Sequence, residues 1–251
     1  MEPNHDEACY TFGDVADRMF GQFVTISNTF RYLSRAIDFS ESQIIYEDVE
    51  DFGAHALDPR FERYFPNREE IEDGSFRHRV GQVVYGELQA AKRRVGSASL
   101  VFAHAIFEEC VSDCLRVAFL AAPSDWLSVV SNKKVSFGEL SVSGLAPLQK
   151  QSILDFIEGL ERQSLMKKLD IFFQVVRPSD NPSRIRDYQY SRMRVEQLDQ
   201  ARHLAAHDDP VAYDPDELKA DVEYLRMTVM YLLAILIERY NVRNIQRPTE
   251  G

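Results

Sequence analysis

The run Arg202-His203-Leu204-Ala205-Ala206-His207 concentrates the residue types best suited to chemistry in this chain. An imidazole, with an ordinary pKa of about 6.5, takes or gives a proton near neutrality. A guanidinium stays charged and meets a phosphate or other oxyanion through two parallel hydrogen bonds. His203 and His207 are four residues apart and share a face if the segment is helical. Arg202 falls on the apolar stripe of Val195, Leu198 and Ala205, where a guanidinium must be paired or face a partner or ligand. On a regular helix Arg202 and His207 lie about 140° apart, so one copy does not converge them easily. Two copies of the helix packed across a dimer axis would. The two histidines also have metal-ligand spacing. The zincin pattern needs Glu directly after the first histidine, and Leu204 stands there. With Asp208 or Asp209 a metal-dependent helical hydrolase is the alternative.

These side chains sit within a series of helices. Phe12, Val15, Met19, Phe23, Ile26, Phe30, Leu33 and Ile37 step by three or four, which predicts a long amphipathic helix. Residues 39–75 are acidic, broken at Asp58-Pro59 and Phe65-Pro66, and are expected to be irregular. A second helical stretch runs from about Phe76 to Leu120 and is closed by Pro123; Gly81, Gly86 and Gly96 each weaken its continuity by about 1 kcal/mol against Ala. Residues 124–146 read either as a hairpin fragment or as an irregular helical link. The helical pattern resumes from Pro147 to Val176. After Pro178 and Pro182 a helix from about Ile185 to Ala206 carries most of the arginine–histidine run.

The last helix starts with Asp214 as N-cap, Pro215 in the first turn, and Asp216 and Glu217 at the positive end of the dipole. Leu218, Val222, Leu225, Val229, Leu232 and Leu236 step 4, 3, 4, 3, 4, and Tyr231, Leu233, Ile235 and Ile237 make the helix apolar nearly all round. It is the natural centre of a bundle. Few segments alternate with period two. The fold class is all-α, an up-and-down helical bundle with an N-terminal helical extension.

A chain of 251 residues makes one large or two small domains. Its 29 basic and 40 acidic residues give a net charge of −11, which as a bulk figure argues against gripping nucleic acid by charge. The distribution differs from the bulk. Residues 1–75 hold 6 basic and 17 acidic side chains, whereas residues 76–251 hold 23 of each. A boundary near Gly74 therefore separates an acidic N-terminal helical extension, 1–75, from a charge-balanced bundle, 76–251.

The polar start, Met1 to Cys9, lacks the basic and apolar regions of a signal peptide, and the most apolar run, Met227 to Ile237, is too short to cross a bilayer. Three cysteines give no disulfide framework, so a reduced cytoplasm and no membrane association are expected. No Gly-rich phosphate loop, nucleophile elbow or dinucleotide fingerprint is present, and no cofactor is expected.

The run 202–207 resembles the Arg-polar-x-x-x-His motif of HEPN domains, closest to the RiboL-PSP-like branch. The likeness covers about residues 76–245. Leu100 to Glu109, with an acidic pair after an aromatic residue, looks like the family's first core helix, and Ser164 to Leu169 like the start of its middle helix. Asp208-Asp209 after the motif is more acidic than the small residue such a site would have.

The resemblance implies a four-helix core and a metal-independent endoribonuclease working at a homodimer cleft. A toxin or phage-defence effector with an antitoxin or defence-system partner is one such protein; a non-catalytic HEPN binding or assembly module is the alternative. The products would carry 2′,3′-cyclic phosphate and 5′-hydroxyl ends. His207 would be the general acid or base, Arg202 the phosphate clamp, His203 an orienting group, and Glu108 a group positioning Arg202. For RNA, Arg177, Arg184, Arg186, Arg192 and Arg194 fall within 18 residues, interleaved with Tyr188 and Tyr190. Arginine with aromatic rings is the composition of a single-stranded RNA path.

Overall fold

Steps of three and four along the chain become helices because each buries one stripe and leaves the other in water. A computed structural model describes residues 3–55, 75–130, 145–178, 182, 185, 188–207 and 215–245. Among them there are seven α-helices and no strand, an all-α bundle. They are α1 (His5–His55), α2 (Ser75–Ala121), the single turn α3 (Leu127–Val130) after a 3-10 turn at Pro123–Trp126, α4 (Leu145–Leu160), α5 (Leu165–Val176), α6 (Arg192–His207) and α7 (Pro215–Tyr240).

Several boundaries differ from expectation, each for a physical reason. α1 continues through residues 39–55, because that stretch is acidic yet contains no proline. Charge does not break a helix, and glutamate is a good helix former. The pattern over 147–176 divides at residues 161–164, where the Ser164 hydroxyl accepts from the Lys167 amide at 3.4 Å and caps a new helix. Arg177 then ends α5 in the left-handed region, at φ 46°.

The motif helix starts at Arg192 rather than near Ile185. Tyr224 of α7 holds the preceding backbone: its hydroxyl accepts from the Ser191 amide at 3.0 Å and lies 3.1 Å from the Ser191 carbonyl, to which it donates. The Ser191 side chain accepts from the Arg194 amide at 3.3 Å. Asp214, the boundary near Gly74 and residues 131–144 lie outside the described residues. Within the ambiguous link, residues 124–130 are helical.

The chain folds as two compact units. One takes Met1–Thr25, Phe102–Gln200 and Ala220–Gly251; the other takes Ile26–Val101 and Ala201–Lys219. The first 25 residues thus group with the bundle, although their charge set them apart in the sequence. Ala8, Phe12, Val15, Met19 and Phe23 are core residues of that first unit. The Asn4 amide donates to the Leu120 carbonyl at 2.9 Å, and the Arg243 amide to Cys9 Sγ at 3.4 Å. Gly13 suits the place where the C-terminal segment crosses α1: a Cβ there would lie 2.9 Å from Asn244 Oδ1 and 3.0 Å from the Ile245 carbonyl oxygen, so that segment would have to shift.

From α2 the first unit takes Phe107, Val111, Cys114 and Val117; from α7 it takes Val222, Leu225, Val229, Leu232 and Leu236, all at most 2% exposed. Trp126, fully buried, meets Phe119 and Phe156 edge to face at 6.2 and 6.4 Å. In the second unit Phe30, Leu100 and Leu218 are buried, and Lys92 pairs with Asp38 at 2.8 Å.

All three cysteines are free and buried. Burial pushes the Cys110 thiol up to about 12 and that of Cys114 well above its ordinary value, so neither supplies thiolate at neutral pH. Among the described residues no helix is long and apolar enough to cross a membrane.

Phe23 is fully buried and Phe20, three residues earlier, is 57% exposed. Phe23→Ala is expected to lower unfolding free energy by about 3–5 kcal/mol and Phe20→Ala by under about 0.5 kcal/mol. Urea unfolding followed by circular dichroism measures both, and equal effects would contradict the packing of α1.

Candidate functional site

The geometry of the motif begins with what holds α6. Val195 and Leu198 are buried and anchor its first half. Around that apolar contact, neighbouring helices supply carboxylates. Arg192 pairs with Asp170 of α5 and, at 3.0 Å, with Glu196 one turn along its own helix. Arg194 pairs with Asp221 of α7. Asp199 Oδ1 lies 3.2 Å from Nε2 of His104, a histidine of α2 that is 1% exposed. The first two turns of α6 are thereby tied to α2, α5 and α7.

Beyond that seat the helix continues for about two turns, and these carry the motif. Arg202 is half-buried, in keeping with its place on the apolar stripe. His203 and His207 are exposed, and their ring centroids are 4.8 Å apart with the rings inclined at 60°. The four-residue spacing does place the imidazoles side by side. Two adjacent imidazoles open to solvent are able to divide the taking and giving of a proton between them. All three residues belong to the second compact unit.

Glu108 belongs to the first unit, and its Oε1 accepts from Nζ of Lys168 at 2.8 Å. Lys168 is 4% exposed, so this contact neutralises an ammonium group inside the bundle. The pair was missed in the sequence, although Lys168 left a signal. It lies on the stripe of Leu165, Leu169 and Phe172, where a cation needs a counter-ion.

The arginine and tyrosine residues expected to line an RNA path are placed differently from that expectation. Arg184 and Arg186 lie outside the described residues. Arg192 and Arg194 are exposed, but each is held by a carboxylate of a neighbouring helix. Tyr188 is half-buried: its hydroxyl lies 2.5 Å from that of Thr228, and its ring packs 5.9 Å from Tyr224 and 5.7 Å from Tyr231. Burial raises its phenol far above the ordinary value. Tyr190 stacks parallel to Tyr231 and tilts against Phe173 at 4.9 Å; burial pushes its phenol up to about 12. The rings of 188–190 pack onto α7 and α5, and their hydroxyls stay protonated at physiological pH.

Comparison with protein-family models, with curated proteins and with solved structures returns no match. What the site is able to do follows from its own residues. Among the described residues no group of three or more His, Cys, Asp or Glu side chains is gathered as for a metal ion, and Asp208 and Asp209 lie outside them.

The Glu108–Lys168 contact has a measurable consequence. Glu108→Ala leaves a buried ammonium without its partner, whereas Lys168→Met removes the cation and keeps the stem volume. Glu108→Ala is expected to cost about 2–3 kcal/mol, discounted because Glu108 is 34% exposed, and Lys168→Met clearly less. In the Glu108→Ala/Lys168→Met double variant much of the loss should be recovered, by urea unfolding. Additive losses would contradict the pairing.

Proposed function

We propose that this chain is a metal-independent endoribonuclease of the HEPN type, acting as a homodimer in which the ends of two α6 helices form one cleft. The observation that carries the reading is the last part of α6: a half-buried arginine followed by two exposed imidazoles 4.8 Å apart. In chain order these precede the deeply buried final helix of an all-α bundle. In this reading His207 moves the proton of the ribose 2′-hydroxyl or of the leaving 5′-oxygen, and His203 orients it. Arg202 clamps the phosphorane as its negative charge grows. A second copy is required because Arg202 and His207 stand on different sides of one helix. RNA is the substrate and no cofactor enters.

The ion-paired state of Arg192 and Arg194 favours a second reading, a HEPN-type bundle that binds or assembles without cutting. In that case Arg202 and His207 serve contacts rather than chemistry.

Incubation of the purified chain with total RNA separates the two. Cleavage is expected to persist in EDTA, to leave 2′,3′-cyclic phosphate and 5′-hydroxyl ends, and to fall by about 10²-fold or more in Arg202→Ala and in His207→Ala. Equal cleavage by both variants and the parent would overturn the ribonuclease reading, and loss of cleavage in EDTA alone would turn it toward a metal-dependent hydrolase.

A further inference from the structure

We propose that His203 and His207 together chelate one divalent transition ion of the zinc, nickel or copper class, and that the bound ion holds the proposed ribonuclease inactive. The chelation stands on the geometry of the pair. The inhibition rests on the ribonuclease reading and gives the same two imidazoles a regulator. Both residues lie in the last turns of α6, within the second compact unit, and both are exposed. Two histidines four apart share one face of a helix, the spacing by which helical metal sites bring two imidazoles to one ion.

The separation of the rings fits a shared ion. A zinc–nitrogen bond is about 2.05 Å and the centre of an imidazole lies about 1.15 Å beyond its nitrogen, so ion and ring centre are about 3.2 Å apart. Two such rings stand about 4.5 Å apart at the right angle of a tetragonal site, and about 5.2 Å apart at the tetrahedral angle. The centroids of His203 and His207 are 4.8 Å apart, between the two. Inclined at 60°, the rings do not stack face to face. Rotation about the side-chain torsions of an exposed histidine is enough to aim a nitrogen at the common point. The remaining positions on the ion go to water.

The ligands decide what the ion does. A neutral imidazole ligates through its one lone pair and then carries its proton on the other nitrogen. It has no lone pair left for the proton of a ribose 2′-hydroxyl, and its remaining N–H is a far weaker acid than imidazolium. Both halves of the proton transfer therefore stop. The ion itself lacks an adjacent base: Leu204 stands where a zincin has the glutamate that works on metal-bound water. Imidazole suits zinc, copper and nickel, whereas magnesium takes oxygen ligands and keeps its waters, so magnesium accompanying RNA does not compete.

The test uses the full-length chain without an added histidine tag. Calorimetric titration with zinc, nickel and copper chlorides is expected to show a site that His203→Ala and His207→Ala each weaken at least tenfold. Either change ends the chelate, and a second bond closed on the same scaffold adds about 10²–10⁴ over a single one. Circular dichroism checks that each variant keeps its helix. Electron paramagnetic resonance of the copper(II) complex reads the ligands directly, with two imidazole nitrogens expected in the parent and one fewer in each variant. Zinc at about ten times its Kd should lower RNA cleavage by the parent about tenfold. EDTA should restore that cleavage, and magnesium at the same concentration should leave it unchanged.

Equal zinc, nickel and copper affinities in the parent and both variants would overturn the site, as would an unchanged nitrogen count in the copper spectrum. Full cleavage at saturating zinc, with the ion held by both histidines, would overturn the inhibition and leave the ribonuclease reading standing. A parent that cuts no RNA even in EDTA would remove the ribonuclease reading and the inhibition together, and the titration would then decide the chelate by itself.

Discussion

Asp170 and Asp221 take the guanidiniums of Arg192 and Arg194, and the seating of the first two turns of α6 depends on those contacts. Val195 and Leu198 bury one stripe of α6, but a stripe of two residues does not by itself fix where along its axis a helix sits. The ion pairs, the His104–Asp199 contact and the Ser191–Tyr224 hydrogen bonds supply that register. A helix rises about 1.5 Å per residue, so a slip of one residue would break every one of these contacts at once. These polar ties occupy residues 191–199, and the imidazoles begin four residues after Asp199. The stretch that sets the register and the stretch that carries the motif are therefore distinct.

The buried polar groups of the first unit fit the same logic. Lys168 and His104 are almost wholly buried on α5 and α2, facing carboxylates that keep partial access to water. Desolvating such groups opposes folding, and an apolar replacement of similar shape is often at least as stable. What a buried polar group facing a carboxylate supplies is directional: it accepts one neighbour and rejects others, where leucine would tolerate a range of rotations. Glu108 and His104 are one turn apart on α2, and their contacts reach α5 and α6 respectively. One face of α2 thus helps set both helices at a fixed rotation.

Much of the fold was legible in the sequence, because local rules decide it. α2 falls within a residue of where Pro123 and the apolar steps place it, and α7 starts at the Pro215 that marks its first turn. The features that were not legible depend on residues far apart in the chain. Ser191 becomes a helix cap because Tyr224, 33 residues away, holds its backbone. Arg192 and Arg194 looked like an open basic stripe because Asp170 and Asp221, 22 and 27 residues away, lie outside any short window. The side-by-side imidazoles of His203 and His207 were legible, since helical spacing alone dictates them. Acidity misled the reading of 39–55, where composition was taken for irregularity although no proline interrupts the helix.

The same distinction bears on the conflict between a net charge of −11 and the proposed polyanionic substrate. A sum over the chain governs solubility and long-range repulsion, but a bound phosphate responds to charges within a screening length, about 10 Å at ordinary ionic strength. Between Asp17 and Glu47 the acidic residues of α1 are Asp38 and Glu41. Asp38 is already held by Lys92. Glu41 comes six residues after Arg35 in the sequence. Glu47 and the dense acidic run it begins start twelve residues after Arg35, roughly 18 Å along the axis. Proximity also separates the two groups of arginines: those of α6 have carboxylates within hydrogen-bonding distance, whereas Arg31 and Arg35 have none among the described residues. The arginines that a bulk count would weigh equally are therefore unequal as anion sites, and the structure places the more open ones on the helix that the sequence marked as the acidic one.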